Sequence, residues 1–272
     1  MPYDDEYRMC HQLSLTILKE YGFGRRLMET RILIEVEDFV NIIKRRPTHT
    51  ADSRSDSFDA DVMLTSSLVN VIYNILFGVR MEDSAGPEMR RIIAILHERI
   101  HTFCRELTVL PWLRVLPFYR KRWDWTIDCL NRMAAIVGEE MRAALADEKR
   151  DSFTGSYLAA APDETKANLL LCDLLTAAAE TTATTLRWTL VLLANHPDIQ
   201  SRLQDEIDSV IPRGQRLPVL DDRPRLPFVE AFMLEVMRFK TILPLAVNHT
   251  TVCDTEAGGY RIPKNTLVGT GG

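Results

Sequence analysis

A mainly α-helical protein with a small β region near its C-terminus is the fold class that this 272-residue sequence predicts. Three observations lead there. Apolar residues recur at helical spacing in one segment after another, from near the start to about residue 240. Gly and Pro fall between those segments and rarely within them. Only residues 247–268 change to an extended pattern with turn residues between short runs. One domain over 1–272 is therefore expected, helical over 1–240 and extended over 247–268. No internal repeat or low-complexity segment breaks it.

In chain order, residues 13–18 give a short apolar helical piece, ended by the breaker run Tyr21-Gly22-Phe23-Gly24. Residues 27–44 read as an amphipathic helix with Ile32, Val36, Phe39, Val40 and Ile43 on one side. A polar loop over 47–56 precedes a helix over 59–77 that Gly78 stops. The next helix, 87–107, carries Ile92, Leu96, Ile100, Phe103 and Leu107. Pro111 and Pro117 bracket a turn holding Trp112, and a long amphipathic helix follows over 119–148. Asp163 caps a central helix that runs to 195, His196-Pro197-Asp198 restarts a helix to about 210, and a Pro/Arg-rich loop spans 212–227. Residues 228–239 are helical. Extended pieces then follow at 247–253, 259–262 and 266–268, punctuated by Gly258-Gly259 and Pro263.

The central stretch, residues 168–195, is the most informative. It is apolar on most sides, yet Asp173, Glu180 and Arg187 recur every seven residues. Two helical turns take about 7.2 residues, so the three charges project from nearly one line, with Ala177 and Thr184 between them and Thr181 at the edge. Buried charge is costly unless paired or solvated, so this stripe is expected to face a cavity, a cofactor or specific partners. A bundle helix with ordinary internal salt bridges satisfies the same pattern. A membrane span would have to hold three charges, at roughly 2.5–3.5 kcal/mol each near mid-bilayer.

Composition narrows the classes. Hydrophobic residues make up 46% of the chain, ample for a core, and the net charge of −5 with no long basic run gives no sign of a nucleic-acid partner. The five cysteines (10, 104, 129, 172 and 253) are far apart, form no C-x-x-C pair and are odd in number, which fits reduced thiols better than a disulfide framework. The acidic, polar opening MPYDDEYRMC is unlike a signal peptide.

Three motifs carry chemistry. His97-Glu98-Arg99-Ile100-His101 fits H-E-x-x-H, which on a helix sets two imidazoles on one face to share a zinc ion, with the glutamate activating a water. The alternative is a helix face with two unligated histidines, made basic by Arg91, Arg99 and Arg105. Glu235 and Arg238 stand at i and i+3 on a helix whose Phe228, Phe232, Val236 and Phe239 should bury it, so their pair reads as an internal brace. Glu180-Thr181 sets an acid beside an alcohol in mid-helix, suited to delivering a proton to something bound against it. The bland reading of Thr181 is a hydroxyl bonded back to the preceding turn.

Taken in order, these pieces resemble the cytochrome P-450 superfamily, specifically the microsomal drug- and steroid-metabolising type of animals. Ala177-Ala178-Ala179-Glu180-Thr181-Thr182 is similar to that family's (A/G)-G-x-(D/E)-T-(T/S) segment. Leu186-Arg187-Trp188 and Asn195-His196-Pro197 resemble its continuation. Asp222-Arg223-Pro224 leads into Glu235-x-x-Arg238 as in the family, and Pro244-Leu245, His249-Thr250-Thr251 and Gly259 through Lys264 resemble the strands beyond.

The resemblance implies a heme-iron monooxygenase that inserts one oxygen atom from dioxygen into a lipophilic small molecule. Its electrons would come from NADPH through a reductase, with a cytochrome b-type protein as a further donor. Glu180 and Thr181 would be catalytic at the oxygen pocket. Tyr7, His11 and His249 would meet the heme propionates, and Glu235–Arg238 would brace the core. Asp173, Ala177, Leu243, Leu245 and Val247 would border the substrate. Family members of this type sit on the cytosolic face of the endoplasmic reticulum membrane through an N-terminal anchor.

The departures are specific. Tyr7 and His11 stand where the family's helical W-x-x-x-R has its ends, Ala178 replaces the helix Gly, Asn248 a usual Pro and Asn265 a usual Gly. No cysteine lies in the F-x-x-G-x-R-x-C-x-G loop that supplies the axial thiolate of this heme class. The resemblance therefore implies a central, partial P-450 domain without the anchor or the ligand loop, inactive by itself. Two other readings stay open at this point, a zinc hydrolase built on His97 and His101 and a non-catalytic, decayed relative.

Overall fold

The computed structural model describes residues 4–45, 60–81, 86–102, 105–147, 151–244 and 246–269. Ten helices succeed one another among them: α1 Asp5–Glu20, α2 Arg26–Lys44, α3 Ala60–Phe77, α4 Pro87–Thr102, α5 Arg105–Val109, α6 Pro117–Ala146, α7 Phe153–Ala160, α8 Glu164–Asn195, α9 Pro197–Val210 and α10 Pro227–Phe239. Short 3-10 turns at Pro111–Val115 and Leu220–Arg225 join α5 to α6 and lead into α10. Four short strands follow: β1 His249–Thr250, β2 Thr255–Ala257, β3 Tyr260–Ile262 and β4 Leu267–Val268. β2 and β3 form an antiparallel hairpin, and β1 pairs antiparallel with β4, His249 opposite Val268. Gly258 and Gly259 both take positive φ in the hairpin turn, where a side chain would be strained. The mainly α class with a small C-terminal β region is what the sequence predicted.

Local chemistry explains the element ends. α1 begins eight residues before the predicted 13, because the Asp4 carboxylate accepts from the Tyr7 amide at 2.8 Å and caps the first turn. Asp163 caps α8 in the same way, accepting from the Lys166 amide at 3.0 Å. Pro197 and Pro227 each stand in the first turn of a helix, where the missing N–H costs nothing.

Two elements escaped the sequence reading. α7 is one helix of eight residues, with Phe153, Thr154, Tyr157 and Leu158 buried, and is too short to show a clear period. β2 consists of Thr255, Glu256 and Ala257, all exposed, and is made a strand by its pairing with β3 alone.

The core forms around α3 and α8. Leu171, Leu175, Ala179 and Ala183 run down one side of α8 at four-residue spacing and are buried. The alanines let α3 come close, where Val69, Ile72, Tyr73 and Leu76 fill the interface. Burying each such leucine is worth about 1.5–3 kcal/mol. These two helices are long and apolar enough to cross a membrane by length and composition; here they pack on each other.

The amphipathic side predicted for α2 is present but uncovered, with Ile32, Val36 and Ile43 exposed. α3 meets α2 instead along the side of Glu35, whose buried carboxylate takes the guanidinium of Arg80 and the amide of Asn70. The loop over 47–56, Phe103, Cys104 and Leu245 lie outside the described residues.

Candidate active site

The polar line of α8 meets α4 and the start of α3, and each of its three charges has a partner there. Arg99 on α4 donates to Asp173 at 3.1 Å and to the Thr176 hydroxyl at 2.8 Å. Arg187 pairs through Nε with Asp61 and donates to the Thr65 hydroxyl at 3.0 Å, both on α3. Glu180 lies between these points with a side chain only 8% exposed. Its Oε1 is 3.5 Å from Nε2 of His97, and its Oε2 is 3.9 Å from the Arg187 guanidinium. Of the settings expected for the stripe, specific partners are therefore what Asp173, Glu180 and Arg187 find.

The electrostatics of Glu180 follow from that setting. Burial pushes its carboxyl above the ordinary glutamate range, and Asp61 pushes the same way. His97 and Arg187 oppose the shift without cancelling it. Among the described residues neither carboxylate oxygen accepts a hydrogen bond, so the Arg187 guanidinium and the His97 ring are the polar neighbours the buried acid has.

Thr181 presents a different side. It follows Glu180 by one residue, about 100° around the helix. Thr181 and Ala177 are both exposed, one turn apart, while Ala178 beside them is half-buried. The Thr181 hydroxyl donates to the Ala177 carbonyl at 2.8 Å, the back-bond that a mid-helix threonine commonly makes. α8 is thus closed around Glu180, which is buried beside residues of α3 and α4, and open at Asp173, Ala177 and Thr181, which are exposed.

The remaining candidates spread along the chain. Tyr7 and His11 stack on α1 with ring centroids 5.9 Å apart, and His11 is exposed. Leu243, Val247 and His249 are exposed on the segment that leads into β1. Glu235 and Arg238 do pair, through contacts of 2.7 and 2.6 Å, and Arg238 holds the Glu235 carboxyl below its usual range. The pair is not the buried brace expected, since the two side chains are 57% and 71% exposed. Among the helical residues of α10 only Val236 is buried, because α8 and α9 cover a single side of it and the pair lies away from that side.

The H-E-x-x-H motif is pulled apart by its surroundings. His97 faces Glu180 and Asp61, with the Arg187 guanidinium 3.4 Å from its Nε2. Glu98 turns to α6, where Arg132 at 2.6 Å and the Trp125 indole hold it, Arg132 drawing its carboxyl below the usual range. His101 is exposed. Among the described residues no group of three or more His, Cys, Asp or Glu is placed to share a metal ion.

A separate cavity of about 610 Å³ opens between α2 and α10, lined by apolar residues such as Met28, Ile32, Val229 and Met233. None of its lining residues belongs to α8.

The partners of the stripe were only half legible. His97 and Arg99 stood out in the sequence for another reason, the zinc motif and its basic flank. Asp61 and Thr65 gave no signal, since nothing in a sequence says that residue 61 lies beside residue 187.

A long central helix with an acid and an alcohol side by side, surrounded by other helices and followed by short strands, defines the class. The cytochrome P450 family model matches residues 5–271, and the chain belongs to that family. Cytochrome P450 2F5 of Gorilla gorilla gorilla is 28% identical over 282 residues, spanning 96% of this chain and 55% of its own. Cytochrome P450 2J3 of Rattus norvegicus is 32% identical, spanning 94% and 52%. Cytochrome P450 2L1 of the lobster Panulirus argus is 28% identical, spanning 92% and 54%. The chain thus spans about half the length of the curated relatives it matches. A solved zebrafish cytochrome P450, determined with progesterone, superposes with a TM-score of 0.79 at 24% identity, covering 99% of this chain and 62% of that one, and confirms the fold.

Proposed function

We propose that these residues are the oxygen-side helix, its supporting bundle and part of the substrate border of a heme-thiolate monooxygenase acting on a lipophilic small molecule. The observation that carries the reading is the open side of α8, where Ala177 and Thr181 are exposed within a sequence that matches the family in order. A flat macrocycle needs such a surface, because bulky side chains there would hold it away from the helix. Bound heme would supply the activation of dioxygen, with electrons from NADPH through a reductase or a cytochrome b-type donor.

The chain's own residues have separable tasks. Rotation of the Thr181 side chain releases its hydroxyl from the Ala177 carbonyl and turns a proton donor toward the open side. Glu180 holds a proton more readily than an ordinary glutamate, because burial disfavours its charge. Leu243 and Val247 offer apolar surface that excludes water and accepts a lipophilic substrate, with Asp173 and Ala177 completing that border; Leu245, which the resemblance assigns to it, lies outside the described residues. Tyr7, His11 and His249 are polar groups for the propionates, and Glu235–Arg238 is a surface brace.

The described thiols do not supply the axial ligand. Cys129 and Cys172 are buried in the core, where burial pushes both up, Cys172 to about 11, which opposes a thiolate. Cys10 is half-buried on α1, and Cys253 is exposed just before the hairpin, outside an F-x-x-G-x-R-x-C-x-G sequence. The 272 residues alone are therefore expected to be inactive. The endoplasmic reticulum membrane, with the domain on its cytosolic face, is the location that fits this type of enzyme.

The test is to extend the transcript beyond Gly272 and express the longer protein with heme. The reading expects a cysteine in a Gly/Arg-rich loop and a thiolate-type Soret shift under reduction and carbon monoxide. An extension without such a cysteine, or an extended protein without that shift, overturns it.

A further inference from the structure

Asp173 is the one charge in the exposed row Asp173, Ala177 and Thr181, and the residue that holds it has no task in the function proposed above. Arg99 reaches over from α4. One terminal nitrogen donates to the Asp173 carboxylate at 3.1 Å and the other to the Thr176 hydroxyl at 2.8 Å. The Thr176 hydroxyl itself donates to the Cys172 carbonyl at 2.7 Å, so it meets Arg99 as a fixed acceptor. The root of the arm is anchored too. α4 packs on α6 and α3, and Glu98, next to Arg99, is gripped by Arg132 and the Trp125 indole of α6. The Cys129 thiol of α6 donates to the Ile95 carbonyl one turn earlier in α4, at 3.6 Å. The Arg99 side chain is 24% exposed and that of Asp173 is 73% exposed, so the cation is the covered half of the pair and the acid the open half.

We propose that Arg99 is a specificity-determining residue of the substrate border: by cancelling the charge of Asp173 it makes that border select uncharged lipophiles over cationic ones. A lone carboxylate beside apolar surface attracts a lipophilic amine, which brings the missing counter-charge. With Arg99 in place an ammonium gains nothing, because it must displace a guanidinium held at two points or accept its repulsion. An anionic ligand gains nothing either, since Asp173 repels it. An alcohol, a ketone or a hydrocarbon meets neither penalty, and selection follows from what the pair rejects. Glu180 offers no second anchor for an amine, being buried beside His97 and Arg187.

The substrate class named rests on the monooxygenase reading, but the charge balance can be read without heme. The probes are tryptamine, cationic at neutral pH, and tryptophol, the alcohol of the same shape. Each is titrated into the 272-residue chain carrying ¹³C-methyl alanine, with the Ala177 methyl assigned by its loss in Ala177→Ser. The parent should bind the two alike. Arg99→Leu should shift the ratio of dissociation constants toward tryptamine by about fivefold at low salt, the upper size of one partly exposed ion pair. Adding Asp173→Asn to that variant should cancel the shift. Should Arg99→Leu not fold, Asp173→Asn alone serves: it leaves Arg99 without its counter-charge, and binding should swing toward indolepropionate over tryptophol by a similar factor. A ratio that these changes leave unmoved overturns the proposal. So does a parent that already prefers tryptamine, or an Ala177 methyl that no probe shifts. Because heme enters none of these titrations, their failure is distinct from failure of the Soret test.

Discussion

Glu180 and Glu235 make an instructive pair. Each lies on a helix among apolar residues and each has an arginine on its own helix; from the sequence Glu180 was expected to face a cavity, a cofactor or specific partners, and Glu235 to be half of a buried brace. The structure separates them completely. Glu180 is 8% exposed and meets the His97 ring from α4 and the Arg187 guanidinium on α8, and burial pushes its carboxyl up. Glu235 is 57% exposed and is gripped by Arg238 alone, which pulls its carboxyl down. The helix spacing is good in both cases. What differs is that α3 packs over one side of α8 and the His97 side chain of α4 reaches the same carboxylate, whereas α8 and α9 reach α10 on the side of Val236 only.

The largest effect that would sharpen this contrast is expected at Arg187. Replacing it with alanine leaves Glu180 and Asp61 facing each other without their shared cation. The cost should be about 1–3 kcal/mol, the range for leaving one buried polar group without its partner, because Asp61 keeps water contact. Urea denaturation would read this, and a loss indistinguishable from zero would mean that the cluster is solvated.

Glu180→Gln is expected to act in the other direction. A carboxyl raised in the fold binds its proton more tightly there than in the unfolded chain, so folding is favoured while it is protonated. That advantage fades as pH rises from the unfolded value through the folded one. The glutamine variant should therefore be more stable than the parent at neutral pH. The difference should close below about pH 4, where an ordinary glutamate is protonated in both states. Denaturation midpoints taken across this range would show it, and a variant less stable than the parent at pH 7 would mean that the cations outweigh burial.

Smaller effects should follow on the open side of α8. Thr181→Ala removes an exposed hydroxyl bonded only to its own helix, so stability should stay within about 0.5 kcal/mol. In the extended, heme-loaded enzyme the same change should lower product formed per oxygen consumed. Smallest of all is Glu235→Ala, which should leave the denaturation midpoint of this chain unmoved. A clear drop there would show that the pair is covered in solution.

Much of this fold was legible. Apolar residues at helical spacing, with clear breakers at the ends, located α2, α3, α6, α8 and α10 to within a few residues. α7 was not, because a helix of eight residues is too short to show a clear period, and β2 was not, because its three exposed residues become a strand only through β3. At the site, the seven-residue recurrence of Asp173, Glu180 and Arg187 revealed that α8 carries a polar line, and adjacency revealed the acid beside the alcohol. His97 was noticed for a zinc chemistry that its neighbours dismantle, Glu98 being held by α6 and His97 by α8.

Taken alone, the chain's order of residues determines which segments coil and which side groups share a line on them, because those depend on spacing along a single backbone. It also carries the ordered family motifs. Which charge meets which was decided only when α3, α4 and α8 came together, since Asp61, His97 and Glu180 are far apart in sequence and their attraction exists only at contact distance. The same packing left Glu235 in water and Thr181 on open ground, because burial is a property of neighbours.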